Sequence, residues 1–216
     1  MWKAVIFDLD GVITDTAGHH FAAWREIAAG LGFDLSEEVN ELLKGVSRRE
    51  SLDIIAQKAG VSLDEKEIQR LLETKNARYL ELIAALSPAD ILPGVLPFLD
   101  YLDRSGIAAA IGSSSKNARF ILDRIGLTER FQAISDGTRI RETKPHPEVF
   151  LLAAQDLGIA PRECLVVEDA AAGVEAGRRA GMRVLGVGQP ENLPGADAYV
   201  SDLSAANAGQ LRTLFI

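Results

Sequence analysis

The chain has 216 residues, of which 47% are hydrophobic, and a formal net charge of −8. This composition is ordinary for a globular protein and excludes a disordered, collagen-like or low-complexity chain. The acidic surplus argues against a nucleic-acid partner, and no apolar run approaches the ~20 residues that cross a bilayer, so we expect no membrane partner.

Cys164 is the one cysteine, so no internal disulfide can form. The first ten residues lack the apolar stretch of a secretory signal and already contain two aspartates. We therefore expect a cytoplasmic protein in a reducing compartment. We also expect a monomer.

The chain begins with a short apolar run at residues 3–7, which predicts a buried strand. No strand pattern follows in residues 15–87. Their apolar residues recur at helical spacing in four stretches: 17–31, 36–43, 48–59 and 64–86. We interpret this segment as a four-helix cap domain inserted into the rest of the chain.

After the insertion, strand-like and helical patterns alternate. Further buried strands are predicted at residues 107–111, 164–167 and 183–187. Helices are predicted at residues 95–104, 118–125, 147–157 and 170–180. The alternation predicts an α/β fold with a parallel sheet, whose core domain is made of residues 1–14 and 88–216.

Ligands of an open parallel sheet bind outside the carboxyl ends of its strands. Chemically capable side chains stand at these points or just before a helix: Asp8, Asp10, Ser113, Ser114, Ser115, Lys116, Asn117, Lys144, Glu168 and Asp169. Two like charges ~4 Å apart repel by about 4 kcal/mol at an effective dielectric of about 20. Four carboxylates together therefore need a divalent cation, protonation or both, and an all-oxygen donor set suits Mg²⁺. With the charge of Lys144 they favour a phosphoryl ligand.

Asp8 and Asp10 lie two residues apart on the segment that leaves the first strand. A nucleophile and a general acid/base need about this proximity. One aspartate at a strand end is equally well explained as a cap or turn former. The polar residues as a set favour the catalytic interpretation.

Four segments resemble, in the expected order, the four motifs of the haloacid dehalogenase superfamily of phosphotransferases: residues 7–16 (FDLDGVITDT), 111–113 (IGS), 144–145 (KP) and 167–169 (VED). The resemblance implies a Rossmann-like parallel-sheet core of that superfamily with an inserted helical cap. It also implies that Asp8 is a nucleophile that becomes an aspartyl phosphate, and that Asp10 is the general acid/base.

The same resemblance implies the ligands of the cation and of the transferred phosphate. Mg²⁺ would be held by Asp8, by the main chain at Asp10 and by Asp169, with Glu168 nearby. Ser113 and Lys144 would bind the proximal phosphate.

The helical segment carries a narrower resemblance. The motifs HH at 19–20, LKGVSR at 43–48 and KN at 75–76 closely resemble the β-phosphoglucomutase family, as does the chain over nearly its whole length. The resemblance implies interconversion of β-glucose 1-phosphate and glucose 6-phosphate through β-glucose 1,6-bisphosphate, an intramolecular phosphotransfer. It implies a distal-phosphate site made of Arg48, Ser115, Lys116 and Asn117. It implies sugar-binding or cap residues at His20, Trp24, Lys44, Gly45, Val46 and Lys75.

Five of the residues in the helical segment also have a simpler explanation. His20 and Lys75 are typical of a solvated helix surface, and Trp24 lies on the same helix face as His20 and fits plain core packing. Lys44 and Arg48 could form one solvated face.

Three other functions remain open at this point. One is a sugar-phosphate phosphatase of the same superfamily, in which water accepts the phosphoryl group. Another is a mutase for a different hexose 1-phosphate. The third is a non-catalytic phosphosugar-binding module, which would not need the Asp8 and Asp10 pair.

Overall fold

The structure is a computed structural model that describes residues 2–43 and 46–204. It divides the chain into two compact units, Met1–Asp15 with Leu86–Ile216, and Thr16–Ala85. These limits lie close to, but not at, the predicted limits of core and cap (14/15 and 87/88), and a capping function for the smaller unit stays a prediction. Among the described residues, no helix has both the length and the apolar character that a membrane span requires.

In the described residues of the smaller unit, the regular structure is helical. Its helices are α1 (Ala17–Gly30), α2 (Glu37–Glu41), α3 (Arg48–Ala59) and α4 (Glu65–Ile83). The prediction that the last helix reaches residue 86 is wrong, because a 3₁₀ turn capped by Ser87 begins at Pro88. Leu86 is nevertheless buried, so its apolar character reflects burial outside the helix.

Two of these helices begin with a capping box, in which the side chain of the N-cap residue and that of the residue three positions later each accept a hydrogen bond from the other residue's backbone amide. The pairs are Ser47 with Glu50 at α3, and Asp64 with Glu67 at α4. Apolar side chains of these helices pack together in one buried cluster. It includes Trp24 and Ile27 of α1, Leu52 and Ile55 of α3, and Ile68 and Leu71 of α4.

The larger unit is built on a six-stranded parallel sheet in the order β3-β2-β1-β4-β5-β6. The strands are β1 (Ala4–Phe7), β2 (Ala108–Gly112), β3 (Ala133–Ser135), β4 (Cys164–Glu168), β5 (Arg183–Val187) and β6 (Ala198–Val200). The predicted parallel α/β fold is confirmed, and the four predicted strands match to within one residue at each end. Strands β3 and β6 were not predicted, because three residues are too few to form a recognisable apolar run.

Helices cover the sheet as the alternation predicted. They are α5 (Val95–Ser105), α6 (Ala118–Ile125), α7 (Glu148–Leu157) and α8 (Ala171–Arg179). Phe150 of α7 and Val174 of α8 pack in one buried cluster with Ile6 of β1 and Val166 of β4. Each fully buried side chain of this size contributes about 1.5–3 kcal/mol. The packing therefore holds β1 and β4 rigidly, and with them the residues that directly follow these two strands.

Candidate active site

The central strands place three carboxylates together. Asp8 directly follows β1, Glu168 ends β4, and Asp169 comes next. The two strands are hydrogen-bonded neighbours in parallel register, and the Asp8 amide donates to the Val167 carbonyl at 2.9 Å. One carboxylate oxygen from each of the three residues lies within 4.8 Å of the other two.

Lys144 supplies a positive charge inside this group. Its Nζ donates to Glu168 Oε2 at 2.8 Å and also to Asp8 Oδ1, and it lies 4.7 Å from the centre of the Phe150 ring. Burial alone would lower the pKa of Lys144, but the charges of Asp8 and Glu168 outweigh it and raise the pKa. Lys144 is therefore a cation at neutral pH, although its side chain is only 2% exposed.

The acidic side of the cluster is not fully balanced by one lysine. Burial raises the pKa of Glu168 to about 7, with Lys144 opposing and Asp8 adding to the rise. Burial also raises the pKa of Asp169 to about 9, and the charges of Glu168 and Asp8 contribute. Such shifts mean that full ionisation needs further positive charge. The three carboxylates have the donor chemistry to hold a divalent cation.

Two glycines make room for these carboxylates. A Cβ on Gly11 would lie 2.0 Å from Asp169 Oδ2, and a Cβ on Gly173, in the first turn of α8, would lie 2.0 Å from Glu168 Oε2. Both positions therefore require glycine through close approach. Gly173 was not predicted, although its place five residues after Glu168 at a helix start was visible in the sequence.

Asp10 lies in the tight turn that follows β1 and is not one of the three clustered carboxylates. Gly11 adopts φ +80° there, its amide donates to the Thr14 carbonyl at 2.8 Å, and the Thr14 amide donates to the Leu9 carbonyl at 3.2 Å. The turn therefore fixes the backbone on both sides of Asp10.

The loop after β2 holds the other predicted phosphate-binding side chains of this unit, besides Lys144. Ser113 is buried, and its Oγ accepts from the Ser115 amide at 3.1 Å. Ser115 Oγ in turn accepts from the Asn117 amide at 3.2 Å, and Asn117 directly precedes α6. Lys116 is exposed, and Ser114 Oγ is buried with no hydrogen-bond partner among the described residues.

The helical unit brings three of its predicted residues together. Lys75 Nζ lies 2.7 Å from His20 Nδ1 and 4.9 Å from the centre of the Trp24 ring. Lys75 is 1% exposed, so the interpretation of Lys75 as a surface lysine is wrong. Burial lowers the pKa of His20 well below its usual value, and the nearby charge of Lys75 lowers it further. His20 is therefore neutral near neutral pH and can accept a hydrogen bond from Lys75.

Two residues beside this group were missed. Tyr79 is fully buried, its ring centre lies 4.0 Å from that of His20, and Lys75 Nζ lies 4.5 Å from the centre of the Tyr79 ring. Tyr79 Oη shares a 2.9 Å hydrogen bond with Thr16 Oγ1. The spacing of Tyr79 four residues after Lys75 on a helix was the available signal.

Two of the remaining predicted residues, Arg48 and Val46, lie at or just before the start of α3. Arg48 is its first residue and is partly buried, and burial lowers the pKa of its guanidinium. Val46 is also partly buried. Lys44 and Gly45 lie outside the described residues.

Comparison with known proteins places these features in a family. The sequence pattern of haloacid dehalogenase-like hydrolases matches residues 2–181. The chain belongs to this family. The resemblance of its four motifs to the haloacid dehalogenase superfamily is therefore confirmed, and so is the fold that this resemblance implied.

Relatives in the haloacid dehalogenase-like family include a mutase and a phosphatase. The β-phosphoglucomutase of Bacillus subtilis strain 168 is 45% identical over 204 residues, which cover 94% of this chain and 90% of the relative. The crystal structure of a β-phosphoglucomutase from Clostridium difficile matches with a TM-score of 0.96 and 40% identity, covering 99% of this chain and 97% of the other. A phosphorylated carbohydrates phosphatase from Thermotoga maritima is 32% identical over 190 residues, covering 86% of this chain and 85% of the relative.

Proposed function

We propose that the protein is a Mg²⁺-dependent β-phosphoglucomutase. It would interconvert β-glucose 1-phosphate and glucose 6-phosphate through an aspartyl phosphate and β-glucose 1,6-bisphosphate. The observation that carries the proposal is the 45% identity to the Bacillus subtilis β-phosphoglucomutase over 94% of this chain. The buried cluster of Asp8, Glu168, Asp169 and Lys144 supports it with a site that suits phosphoryl transfer.

The first chemical step would take place at Asp8. One of its carboxylate oxygens attacks the phosphorus of the bisphosphate, the bond from phosphorus to the sugar oxygen breaks, and an aspartyl phosphate remains. The sugar oxygen leaves with a proton from Asp10, the general acid. In the reverse direction Asp10 takes the proton from the attacking sugar hydroxyl.

Charge neutralisation would come from Lys144 and a bound cation. Lys144 brings its ammonium group to the point where the phosphoryl group joins Asp8. Mg²⁺ would be held by Asp8, the main chain at Asp10, Glu168 and Asp169, and when bound it neutralises charge on the phosphoryl oxygens. The raised pKa values of Glu168 and Asp169 fit a site that awaits further positive charge.

The hydroxyl groups of the loop after β2 suit phosphate binding. Ser113 Oγ and Ser115 Oγ each accept a hydrogen bond from a backbone amide of the loop, which leaves the hydroxyl proton for donation to a phosphate oxygen. We propose Ser113 for the proximal phosphate, and Ser115, Lys116 and Asn117 for the distal one. Arg48 is a further proposed phosphate ligand, because a guanidinium can bind phosphate oxygens in pairs.

In the helical unit, His20, Trp24 and Lys75 are proposed to bind or position the sugar. Their mutual contacts would hold the Lys75 ammonium in one place. Lys44, Gly45 and Val46 are proposed for the same task.

We also propose a monomer located in the cytoplasm that binds sugar phosphates and neither nucleic acid nor membranes. The charge of −8 is unfavourable for binding nucleic acid. The single cysteine, Cys164, is buried in β4, and burial raises the pKa of its thiol to about 11, so we propose that the thiol only packs in the core.

A sugar-phosphate phosphatase is the second candidate, because a phosphatase from Thermotoga maritima is 32% identical over 86% of this chain. The two functions differ in what accepts the phosphoryl group from Asp8, a sugar hydroxyl or water. Purified protein is incubated with Mg²⁺, β-glucose 1-phosphate and a trace of β-glucose 1,6-bisphosphate. A mutase forms glucose 6-phosphate with little inorganic phosphate. Release of inorganic phosphate at a rate comparable to the formation of glucose 6-phosphate would exclude the mutase function.

A further inference from the structure

The segment that follows β3 is tied to the loop that follows β2. The Ser113 amide donates to the Ser135 carbonyl at 3.0 Å, which continues the pairing of the two strands. Beyond the strand ends, the Gly137 amide donates to the Ser115 carbonyl at 3.1 Å. Residues 136–138 therefore brace the loop 113–117 at the point where its serine hydroxyls are presented.

Asp136 holds this brace in shape. Its carboxylate is 2% exposed, and Oδ1 accepts from both the Thr138 amide at 2.9 Å and Thr138 Oγ1 at 2.5 Å. The other oxygen, Oδ2, lies 3.9 Å from Arg119 Nε in the first turn of α6. One buried carboxylate thus connects the turn 136–138 to the helix that begins where the loop 113–117 ends.

Gly137 sets how closely the brace approaches. A Cβ at this position would lie 2.3 Å from the Ser114 carbonyl oxygen and 3.0 Å from the Lys116 amide nitrogen. Gly137 is not among the glycines with positive φ, so the close contact alone makes a larger residue unfavourable. Both contacting atoms are backbone, which cannot rotate away as a side chain could, so any Cβ must displace the loop.

We propose that the turn 136–138 is a positioning element for the distal-phosphate loop, with Asp136 and Gly137 as positioning residues. The inference rests on the proposed function, because it assigns Ser115 and Lys116 to the second phosphate of a bisphosphate. The turn touches the part of the loop that carries these residues. Asp8, Glu168 and Lys144 are held through other contacts, by β1, β4 and one another.

The test compares a substrate with two phosphates against a donor with one. Gly137→Ala is assayed for the KM of β-glucose 1,6-bisphosphate in the mutase reaction, and for hydrolysis of acetyl phosphate, which has no second phosphate to bind. A 1 Å misplacement of a binding group can lower the reaction rate about a hundredfold. Because Gly137→Ala displaces the loop that is proposed to bind the second phosphate, we expect the KM of the bisphosphate to rise at least about tenfold. The loss with acetyl phosphate should be much smaller. Gly30→Ala, where a Cβ would meet nothing within 4 Å, is the matched control.

A second pair of variants distinguishes the loss of one hydrogen bond from misfolding of the protein. Thr138→Val removes the hydroxyl that Asp136 accepts from, whereas Thr138→Ser keeps it, and Thr138 itself is exposed. We expect the KM to rise in the first variant and to be restored in the second. Equal losses with both phosphoryl donors, or equal behaviour of the two Thr138 variants, would overturn the proposal.

Amide hydrogen exchange separates this proposal from the proposed function. If the turn braces the loop, the amides of Ser115 and Asn117 exchange faster in Thr138→Val than in wild type, whatever reaction the enzyme catalyses. Unchanged exchange would overturn the positioning role even in an active mutase. Faster exchange in a protein that only hydrolyses sugar phosphates would keep the positioning role and exclude the mutase.

Discussion

Asp8 is the residue at which the buried charges of the α/β unit meet. Its carboxylate contacts Lys144 and lies within 4.8 Å of oxygens from Glu168 and Asp169. A residue that only ended a strand or formed a turn would not require this arrangement. Repulsion among three carboxylates disfavours the metal-free site, and proteins tolerate such cost where it serves chemistry.

The nucleophile can be tested with a change that keeps the shape of the side chain. Asp8→Asn removes the attacking oxygen charge, so we expect mutase turnover and any sugar-phosphate hydrolysis to fall at least about a thousandfold. Asp34→Asn, on an exposed aspartate of the helical unit, is the matched control and should keep wild-type turnover. Substantial residual activity in Asp8→Asn would exclude an aspartyl phosphate at this position.

The acidic cluster predicts how stability depends on pH. The folded-state pKa values of Glu168 and Asp169, about 7 and about 9, lie above their ordinary values. A raised pKa gives stability that is present at low pH and is lost as pH rises through the folded-state value. The contribution of these groups to the metal-free protein should therefore decline between about pH 4 and 9, and stabilisation by Mg²⁺ should grow over the same range.

Urea denaturation with a chelator or with Mg²⁺ measures both effects. Asp169→Asn should flatten the pH dependence of the metal-free protein, because one of the two shifted groups is gone. A metal-free wild type whose stability follows the same pH profile as Asp169→Asn would contradict the electrostatic description of the cluster.

The helices and strands position these residues through local rules. Strands β1 and β4 align Asp8 with Glu168 because they are parallel neighbours, and α3 begins at Arg48 because Ser47 caps it. An N-cap residue typically contributes about 1 kcal/mol, so its loss is measurable without unfolding the protein.

Two N-cap variants of the helical unit distinguish an effect on stability from an effect on substrate binding. Ser47→Ala and Asp64→Ala each remove an N-cap and its capping box, so each should lower the free energy of unfolding by about 1 kcal/mol. We expect Ser47→Ala also to raise the KM for glucose 1-phosphate, because it frees the helix start that carries Arg48. Asp64→Ala should leave that KM unchanged. If both variants changed the KM equally, Arg48 would have no special part in binding.

The elements also show where sequence reasoning succeeds and where it stops. Strands β1, β2, β4 and β5 were predictable because each has four or five residues and a mainly apolar sequence, whereas β3 and β6 have only three residues each. The burial of Lys75 was not predictable from periodicity, because a lysine on a helix is ordinarily solvated and only its contacts with Trp24 and His20 explain its place. The role of Asp136 was not predictable, because its contact with Arg119 of α6 joins residues that are distant in the sequence and meet only in the folded unit.

On the scale of the whole molecule, an acidic chain is proposed to bind a doubly phosphorylated sugar. The charge of −8 does not oppose this, because binding depends on a few local cations. Lys144 is buried among carboxylates and Lys116 is exposed on the loop after β2, so each of the two proposed phosphate sites has a lysine of its own.

The two anomers of glucose 1-phosphate test the mutase assignment most directly, because they report reaction type and stereochemistry together. Wild-type protein with Mg²⁺ and a trace of β-glucose 1,6-bisphosphate is given each anomer separately, and the products are followed by phosphorus NMR. We predict that the β-anomer is converted to glucose 6-phosphate with little inorganic phosphate and that the α-anomer remains unchanged. Inorganic phosphate as the main product, or equal conversion of both anomers, would contradict the assignment.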